Sequence, residues 1–341
     1  MTDVFVLHEV EPCQVDSDVR LFFRHSFSEL ADRRGLDDWL TEKDMDRLCQ
    51  QAAGLFVYAA ATVKFVGNDK WDPRERLSSL LRSQKIGGRE GKTLDSLYSS
   101  ILQGAFGDDD AEDQAKIRSV LGTVILAANP LSPSTIATLL RVNAKSVHRL
   151  LSSVNSLLIL HESVDHPVRS FHKSFPDFVT DPTRCTDERF HISPPYHHLR
   201  FLMGCLGLMN RTLEKNMCKL PDGVANSDVN DLKERTNKCI NPALRYACMS
   251  WHVHLVDADT TPARAPTITL TIHQFLETKF LFWLEALSVL GAARNAVEAL
   301  QVATDWLEVC QVSTLGVLPK LTQTGSRSQP RLSSSTTVYV S

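Results

Sequence analysis

The chain has no Cys-x-x-Cys pair, no Gly-x-Ser-x-Gly elbow and no apolar run near the roughly 18 residues that a membrane-spanning helix needs. Zinc ribbons, elbow-type nucleophilic catalysis and spanning segments go with them. A positively charged, apolar leader is missing from Met1-Thr2-Asp3-Val4-Phe5-Val6-Leu7-His8, so the default expectation is a cytoplasmic protein with no membrane partner. Neither sign of charge dominates. The 37 basic and 40 acidic side chains leave −3 with a mean hydropathy of −0.14, which announces neither a polyanion nor a bilayer as partner. The eight cysteines, at positions 13, 49, 185, 205, 218, 239, 248 and 310, lie too far apart for a disulfide scaffold. They read as reduced thiols, several of them in helix cores. What remains is 341 residues of globular composition, 43% hydrophobic and 23% charged, with room for two or three domains.

Helical periodicity fills most of that length. Val19, Phe22, Phe23, Phe27 and Leu30 follow i, i+3, i+4 spacing and stop at Gly35, which suits a C-terminal cap. Residues 43–66 read as one further helix through Met45, Leu48, Ala52, Leu55, Phe56, Ala59 and Val63. Leu94 to Ala105 makes a third stripe and Ile117 to Ala128 a fourth, and these faces need one another to be buried. Polar connectors separate them: Asn68-Asp69-Lys70, Gly87-Gly88-Arg89-Glu90-Gly91 and Gly107-Asp108-Asp109-Asp110.

Residues 129–171 follow another pattern. Ser132-Pro133 is a cap and a first-turn proline for a short helix, and Asn143 caps a second with Val147, Leu150, Leu151 and Val154. Leu157-Leu158-Ile159-Leu160 and Val168-Arg169-Ser170-Phe171 flank a polar turn and read as a hairpin. With the helix at 113–128 this makes three helices and a wing, the winged-helix variant of helix-turn-helix. Beyond Pro182 helices return, starting at Ser193-Pro194 and Asn241-Pro242, with two more in 271–311 and a polar loop at 214–239. Residues 313–341 hold twelve serines and threonines, three basic side chains and no acid, which predicts a disordered tail and leaves −6 for the body.

Several blocks in this order are similar to a known family. They are Gly54-Leu55-Phe56-Val57-Tyr58-Ala59, then Leu94-Asp95-Ser96-Leu97-Tyr98-Ser99-Ser100-Ile101-Leu102, Pro130-Leu131-Ser132-Pro133, and Ser170-Phe171-His172-Lys173-Ser174-Phe175-Pro176-Asp177-Phe178-Val179-Thr180-Asp181. With Cys205-Leu206-Gly207-Leu208-Met209, Ala243 to Trp251 and Phe282 to Leu287, they resemble the large fungal family of NACHT-domain proteins. These are signal-transduction NTPases with numerous domains (STAND NTPases), related to the NOD-like receptors. The resemblance spans about residues 1–310 and implies a mainly α chain, the part that follows the nucleotide-binding core. It implies a remnant of the core's last strand at 1–12, a helical domain at 13–108 and a winged-helix domain with a small β-hairpin at 109–182. A further helical segment at 183–312 and the tail at 313–341 complete it.

The chemistry of that family can be sought in the residues. A phosphate loop needs Gly-x-x-x-x-Gly-Lys-[Ser/Thr] after a strand. Gly91-Lys92-Thr93 has Ile86 five positions before Gly91 and no strand leading in, so it reads as a surface turn capping a helix that starts near Thr93. Asp108-Asp109-Asp110 reads as a solvated loop rather than a Mg²⁺ site. His172 resembles the histidine of the Met-His-Asp motif with which related winged-helix domains touch the β-phosphate of ADP. The aspartate of that motif is Lys173 here. His172 therefore stands either as a structural residue or as a nucleotide sensor for a core supplied elsewhere.

The expectation is a non-catalytic regulatory or scaffolding arm without cofactor or metal, whose partners are other proteins or full-length NACHT relatives. Two alternatives stand beside it. One is a partial piece of an active NACHT NTPase. The other is a winged-helix nucleic-acid binder using Arg141, Lys145 and Arg149, in a stretch (129–155) that has no acid. Three cations promise only weak, salt-labile binding. A zinc reading starts from Cys248, His252 and His254 around Trp251, and from His191, His197 and His198 near Cys205. On one helix His252 and His254 face apart, so only Cys248 with His252 can chelate, and no fourth ligand is indicated.

Overall fold

The structure, a computed structural model, describes residues 12–69, 71–83, 90–107, 109–259, 261 and 264–309. The strand remnant expected before Pro12, Asp108 and the tail at 313–341 lie outside the described residues. Among the described residues the chain is mainly α, as the sequence predicts. In order come α1 (Pro12–Arg34), α2 (Glu42–Ala52), α3 (Phe56–Val66), α4 (Pro73–Ser83), α5 (Glu90–Phe106), α6 (Ala111–Leu126), α7 (Pro133–Leu140) and α8 (Ala144–Ser153). A hairpin of β1 (Leu158–Ile159) and β2 (Arg169–Ser170) follows. Then come α9 (Ser174–Thr180), α10 (Pro194–Thr212), α11 (Leu232–Cys239), α12 (Pro242–Val256), α13 (Ala265–Val289) and α14 (Arg294–Val309). No helix is long and apolar enough to cross a membrane, among the described residues.

The chain divides into two compact units. The first comprises residues up to 125 with 130–134 and 144–192, and the second 126–129, 135–143 and 193 onward. In the first, α1 buries Val19, Phe23, Phe27 and Leu30, the stripe read from the sequence. Phe27 packs edge-on to Trp39 with centroids 5.4 Å apart, and α1 ends at Gly35 with φ +62°, a conformation that costs glycine little.

The single helix expected over 43–66 is two. A capping box of Thr41 and Asp44 starts α2, and Ala53 (φ 45°) and Gly54 (φ 77°) turn the backbone left-handed before α3. Periodicity alone does not register such a break, because the apolar spacing resumes in nearly the same phase. The sequence reading also passed over α4. Asp72 accepts from the Arg74 amide at 2.7 Å, Pro73 opens the helix, and Leu77, Leu80 and Leu81 are buried at i, i+3, i+4. Gly91, Lys92 and Thr93 lie inside the first turn of α5, which begins at Glu90 rather than near Thr93. Asp110 accepts from the Glu112 and Asp113 amides and so caps α6.

The hairpin is short and antiparallel, pairing Leu158 with Ser170 and Ile159 with Arg169, with an extra bridge from Leu131 to Val168. In the second unit α10, α12, α13 and α14 form the core. Trp251, Phe275 and Trp283 meet edge to face at 5.9–6.0 Å, and the Trp283 indole donates to Cys248 O at 2.9 Å. Asn241 caps α12 by accepting from the Leu244 amide, as its position before Pro242 predicts. The expected loop at 214–239 contains α11. It has no apolar stripe, only Thr236 is buried in it, and so periodicity gives it no signal.

Candidate functional site

Two of the sequence blocks, 94–102 and 170–181, meet in the first unit. Tyr98 of α5 packs on Phe175 and Phe178 of α9 with centroids 5.4 and 5.6 Å away. Arg184 donates twice to Asp95, at 2.6 and 3.1 Å, and so clamps the segment after α9 to α5. His172 stands at the junction of β2 and α9, exposed, where Ser170 Oγ donates to its carbonyl at 2.8 Å.

The imidazole of His172 is oriented by hydroxyl groups. Its Nδ1 lies 3.2 Å from the Ser174 amide and 2.7 Å from Ser174 Oγ, and Ser174 Oγ lies 2.7 Å from Tyr98 Oη. An amide N–H can only donate, so Nδ1 is the acceptor and the ring proton resides on Nε2. The hydroxyl chain then runs one way, Tyr98 donating to Ser174 and Ser174 to Nδ1. Chemically this presents an N–H on the exposed edge of the ring, a donor suited to an anionic oxygen. Beside it, the Lys64 ammonium lies 4.1 Å from the centroid of the Phe171 ring and is held below the usual lysine range by desolvation. Lys173, where the related motif has an acid, is exposed. The Gly54-Leu55-Phe56 block forms the α2–α3 turn, with Phe56 exposed and edge-on to Phe22 at 6.0 Å.

Sequence reasoning singled out His172 but gave no role to Tyr98 or Ser174. The spacing of Ser174 two residues after His172 was a readable signal, since a side-chain acceptor there reaches the amide two positions on. Tyr98, 76 positions away from Ser174, had none.

Lys145 and Arg149 are exposed one turn apart on α8, whereas Arg141 (φ 60°) belongs to the second unit. His148, between them in sequence, is bonded through Nε2 to His161 O at 2.9 Å.

Two residues of the zinc reading, His254 and His198, belong to a buried polar chain with Tyr246. The Ala128 amide donates to Tyr246 Oη at 3.0 Å, and Tyr246 Oη is hydrogen-bonded to His254 Nε2 at 2.7 Å. His254 Nδ1 and His198 Nδ1 share a hydrogen bond of 2.9 Å. The ring of His254 stacks on Phe201 at 4.2 Å, and its pKa is pushed down to about 3, chiefly by burial. Burial also pushes the Cys248 thiol up to about 12. His252 is buried with its Nδ1 lacking a hydrogen-bond partner. No group of three or more His, Cys, Asp or Glu side chains is arranged to hold a metal among the described residues.

With this geometry in view, the chain proves similar to the vegetative incompatibility protein HET-E-1 of Podospora anserina, 24% identical over 319 residues. That match takes in 86% of this chain and only 22% of the relative, so the chain spans about a fifth of the protein it matches. No family model and no solved structure matches.

Proposed function

We propose that this chain acts as a non-catalytic regulatory arm of a NACHT-type signalling protein, in which His172 reports the state of a nucleotide held by a separate nucleotide-binding core. The observation that carries the reading is the orientation of His172. Its Nδ1 is engaged by Ser174, and its Nε2–H is directed outward as a donor. The order of the family-like blocks and the similarity to the fungal incompatibility protein support placing this site in a NACHT-related protein. A ligand oxygen bound by Nε2–H in one arrangement of arm and core, and by nothing here in another, biases the population toward the first. The arm therefore needs no hydrolytic groups of its own, and its partners are the core and other signalling proteins.

The test is calorimetry in two arms. The chain alone, titrated with ADP or ATP, is expected to show no tight binding. Tight binding lost in His172→Ala would show that the chain has its own nucleotide site and would sink the arm reading. Mixed with a separately purified NACHT core loaded with ADP, the chain is expected to associate, and His172→Ala to weaken that association. An association indifferent to His172 would refute its sensing role.

The exposed pair of Lys145 and Arg149 on α8 favours one second reading, contact with a nucleic-acid backbone. Fluorescence anisotropy on duplex DNA at two salt concentrations checks it. Two phosphate contacts predict affinity that falls with a log–log slope of roughly −2.

A further inference from the structure

Where α3 passes into α4, the first unit buries a cation without a counter-ion. Arg76, near the start of α4, is only 7% exposed, and its guanidinium lies 4.2 Å from the centroid of the Phe65 ring and 5.0 Å from that of Trp71. Its Nη1 donates to Phe65 O at 3.1 Å. Among the described residues it makes no ion pair, and desolvation pushes its pKa down to about 10 with no acid to offset the loss of water. An arginine has five N–H donors, and none of the nitrogens of Arg76 is sealed from solvent without a bond, so the donors beyond Nη1 reach the surface at the edge of the stack. The loop that carries Trp71 is pinned. The Trp71 amide donates to Asn68 O at 3.2 Å, Asn68 Nδ2 donates to Asn155 Oδ1 at 3.1 Å, and Arg34 binds Asp69 at 3.0 Å and Asn68 O at 3.4 Å. The Trp71 side chain is nevertheless 49% exposed. A fixed aromatic face therefore stands open beside an unpaired guanidinium.

We propose that Arg76 and Trp71 form a docking point for a protein partner, in which the guanidinium pairs with an aspartate or glutamate side chain and the indole covers the apolar residues that flank it. Charge complementarity selects this occupant. A carboxylate brings the one negative charge that the site lacks, in the planar shape that matches a guanidinium fork. A phosphate dianion fits poorly, because Asp69, Asp72 and Glu75, all exposed, lie on the same loop and the first turn of α4. The amides that open α4 offer an anion little, since Asp72 already accepts from the Arg74 amide at 2.7 Å. Residues 313–341 contain no acidic side chain, so that tail offers none to the site. Tryptophan and arginine are also the residue types that dominate binding energy at protein interfaces. The proposal does not depend on the role given to His172.

The experiment is a nuclear magnetic resonance titration of the full chain with a blocked Leu-Glu-Leu peptide, followed at the Arg76 Nε–H and the Trp71 indole N–H. Blocked Leu-Gln-Leu and Leu-phosphoserine-Leu peptides are the comparisons. Both signals are expected to shift with the glutamate peptide, which binds roughly tenfold tighter than the glutamine one, and that preference is expected to shrink as salt is raised. Equal binding of the glutamate and glutamine peptides, or no shift at Arg76 and Trp71, overturns the proposal. Tighter binding of the phosphoserine peptide overturns the assignment to a carboxylate. Arg76→Met replaces the guanidinium by an apolar side chain, and the preference for glutamate is expected to vanish while the urea midpoint holds or rises, because an unpaired buried charge has gone. A preference that survives in Arg76→Met overturns the proposal. Trp71→Ala truncates a half-exposed side chain and is expected to weaken binding of the glutamate peptide severalfold. Unchanged affinity there also overturns it, and this variant decides the matter if Arg76→Met fails to fold.

Discussion

At the scale of single residues, His254 shows how burial converts a titratable group into a packing element. Stacked on Phe201 and bonded at both ring nitrogens, it stays neutral because charging it would leave an imidazolium without solvent. Its folded pKa of about 3 lies below the roughly 6.5 of an unfolded histidine. Between those values the unfolded chain binds the extra proton. The contribution to stability is thus complete above the unfolded pKa and is lost as pH falls toward the folded one. One such site contributes a slope of at most about 1.4 kcal/mol per pH unit. Urea midpoints taken from pH 7 to pH 4 are expected to fall faster in the wild type than in His254→Gln. Equal slopes would refute the assignment.

His172 makes the complementary point, because its neighbours set its tautomer. Removing the hydroxyl in Ser174→Ala leaves the amide contact at 3.2 Å but cuts the link to Tyr98. The expected result, read from imidazole ¹⁵N shifts, is a shift from one dominant Nε2–H form to a mixture, with Tyr98→Phe producing a smaller change. A ring signal unchanged in Ser174→Ala would show that the hydroxyl does not orient it. The histidine itself was legible in the sequence, from the block that carries it. Its orientation was not, since it depends on a tyrosine brought in from a different helix.

At the scale of elements, what the sequence disclosed depended on whether an apolar stripe marked the helix. α1, α10, α12 and the two helices of the 129–155 stretch carry apolar stripes, and they stand close to where spacing puts them. α4 has a stripe too, at Leu77, Leu80 and Leu81, and was legible though unread. α11 was illegible, because it is held by polar bonds such as Arg235 to Lys219 O rather than by apolar burial. The α2–α3 turn is the instructive case, with Gly54 as its one written sign. At φ 77° any side chain there is strained, and an added Cβ meets Val15 Cγ1 at 3.4 Å, an ordinary contact. Strain alone therefore sets the cost, so Gly54→Ala is expected to destabilise the first unit by roughly 1–2 kcal/mol. Ala53→Gly, relieving a left-handed alanine at φ 45°, is expected to be neutral or to stabilise by up to about 1 kcal/mol. Chemical denaturation of both variants checks the pair. Equal losses at the two positions would mean that something other than backbone strain governs the turn.

At the scale of the whole molecule, the two units are not consecutive in the chain. Residues 135–143, which include most of α7, belong to the second unit, although they fall inside the stretch 109–182 that reads as one winged helix. The reason is local packing. Ile136 and Leu139 are buried, and α10 approaches so closely at Gly204 that an added Cβ would stand 3.3 Å from Leu139 O. Binary patterning shows that α7 has an apolar face, but not which helix covers it. A cut at residue 192 therefore removes α10 from that face. A fragment comprising 1–192 is expected to expose Ile136 and Leu139, to bind a hydrophobic dye and to self-associate on gel filtration, while the full chain does neither. Adding Ile136→Ser and Leu139→Ser to the fragment is expected to restore a monomer, because these side chains have no core role once α10 is gone. A monomeric fragment 1–192 that binds no dye would show that residues before 193 cover α7 by themselves, and that the division of the chain follows its sequence order after all.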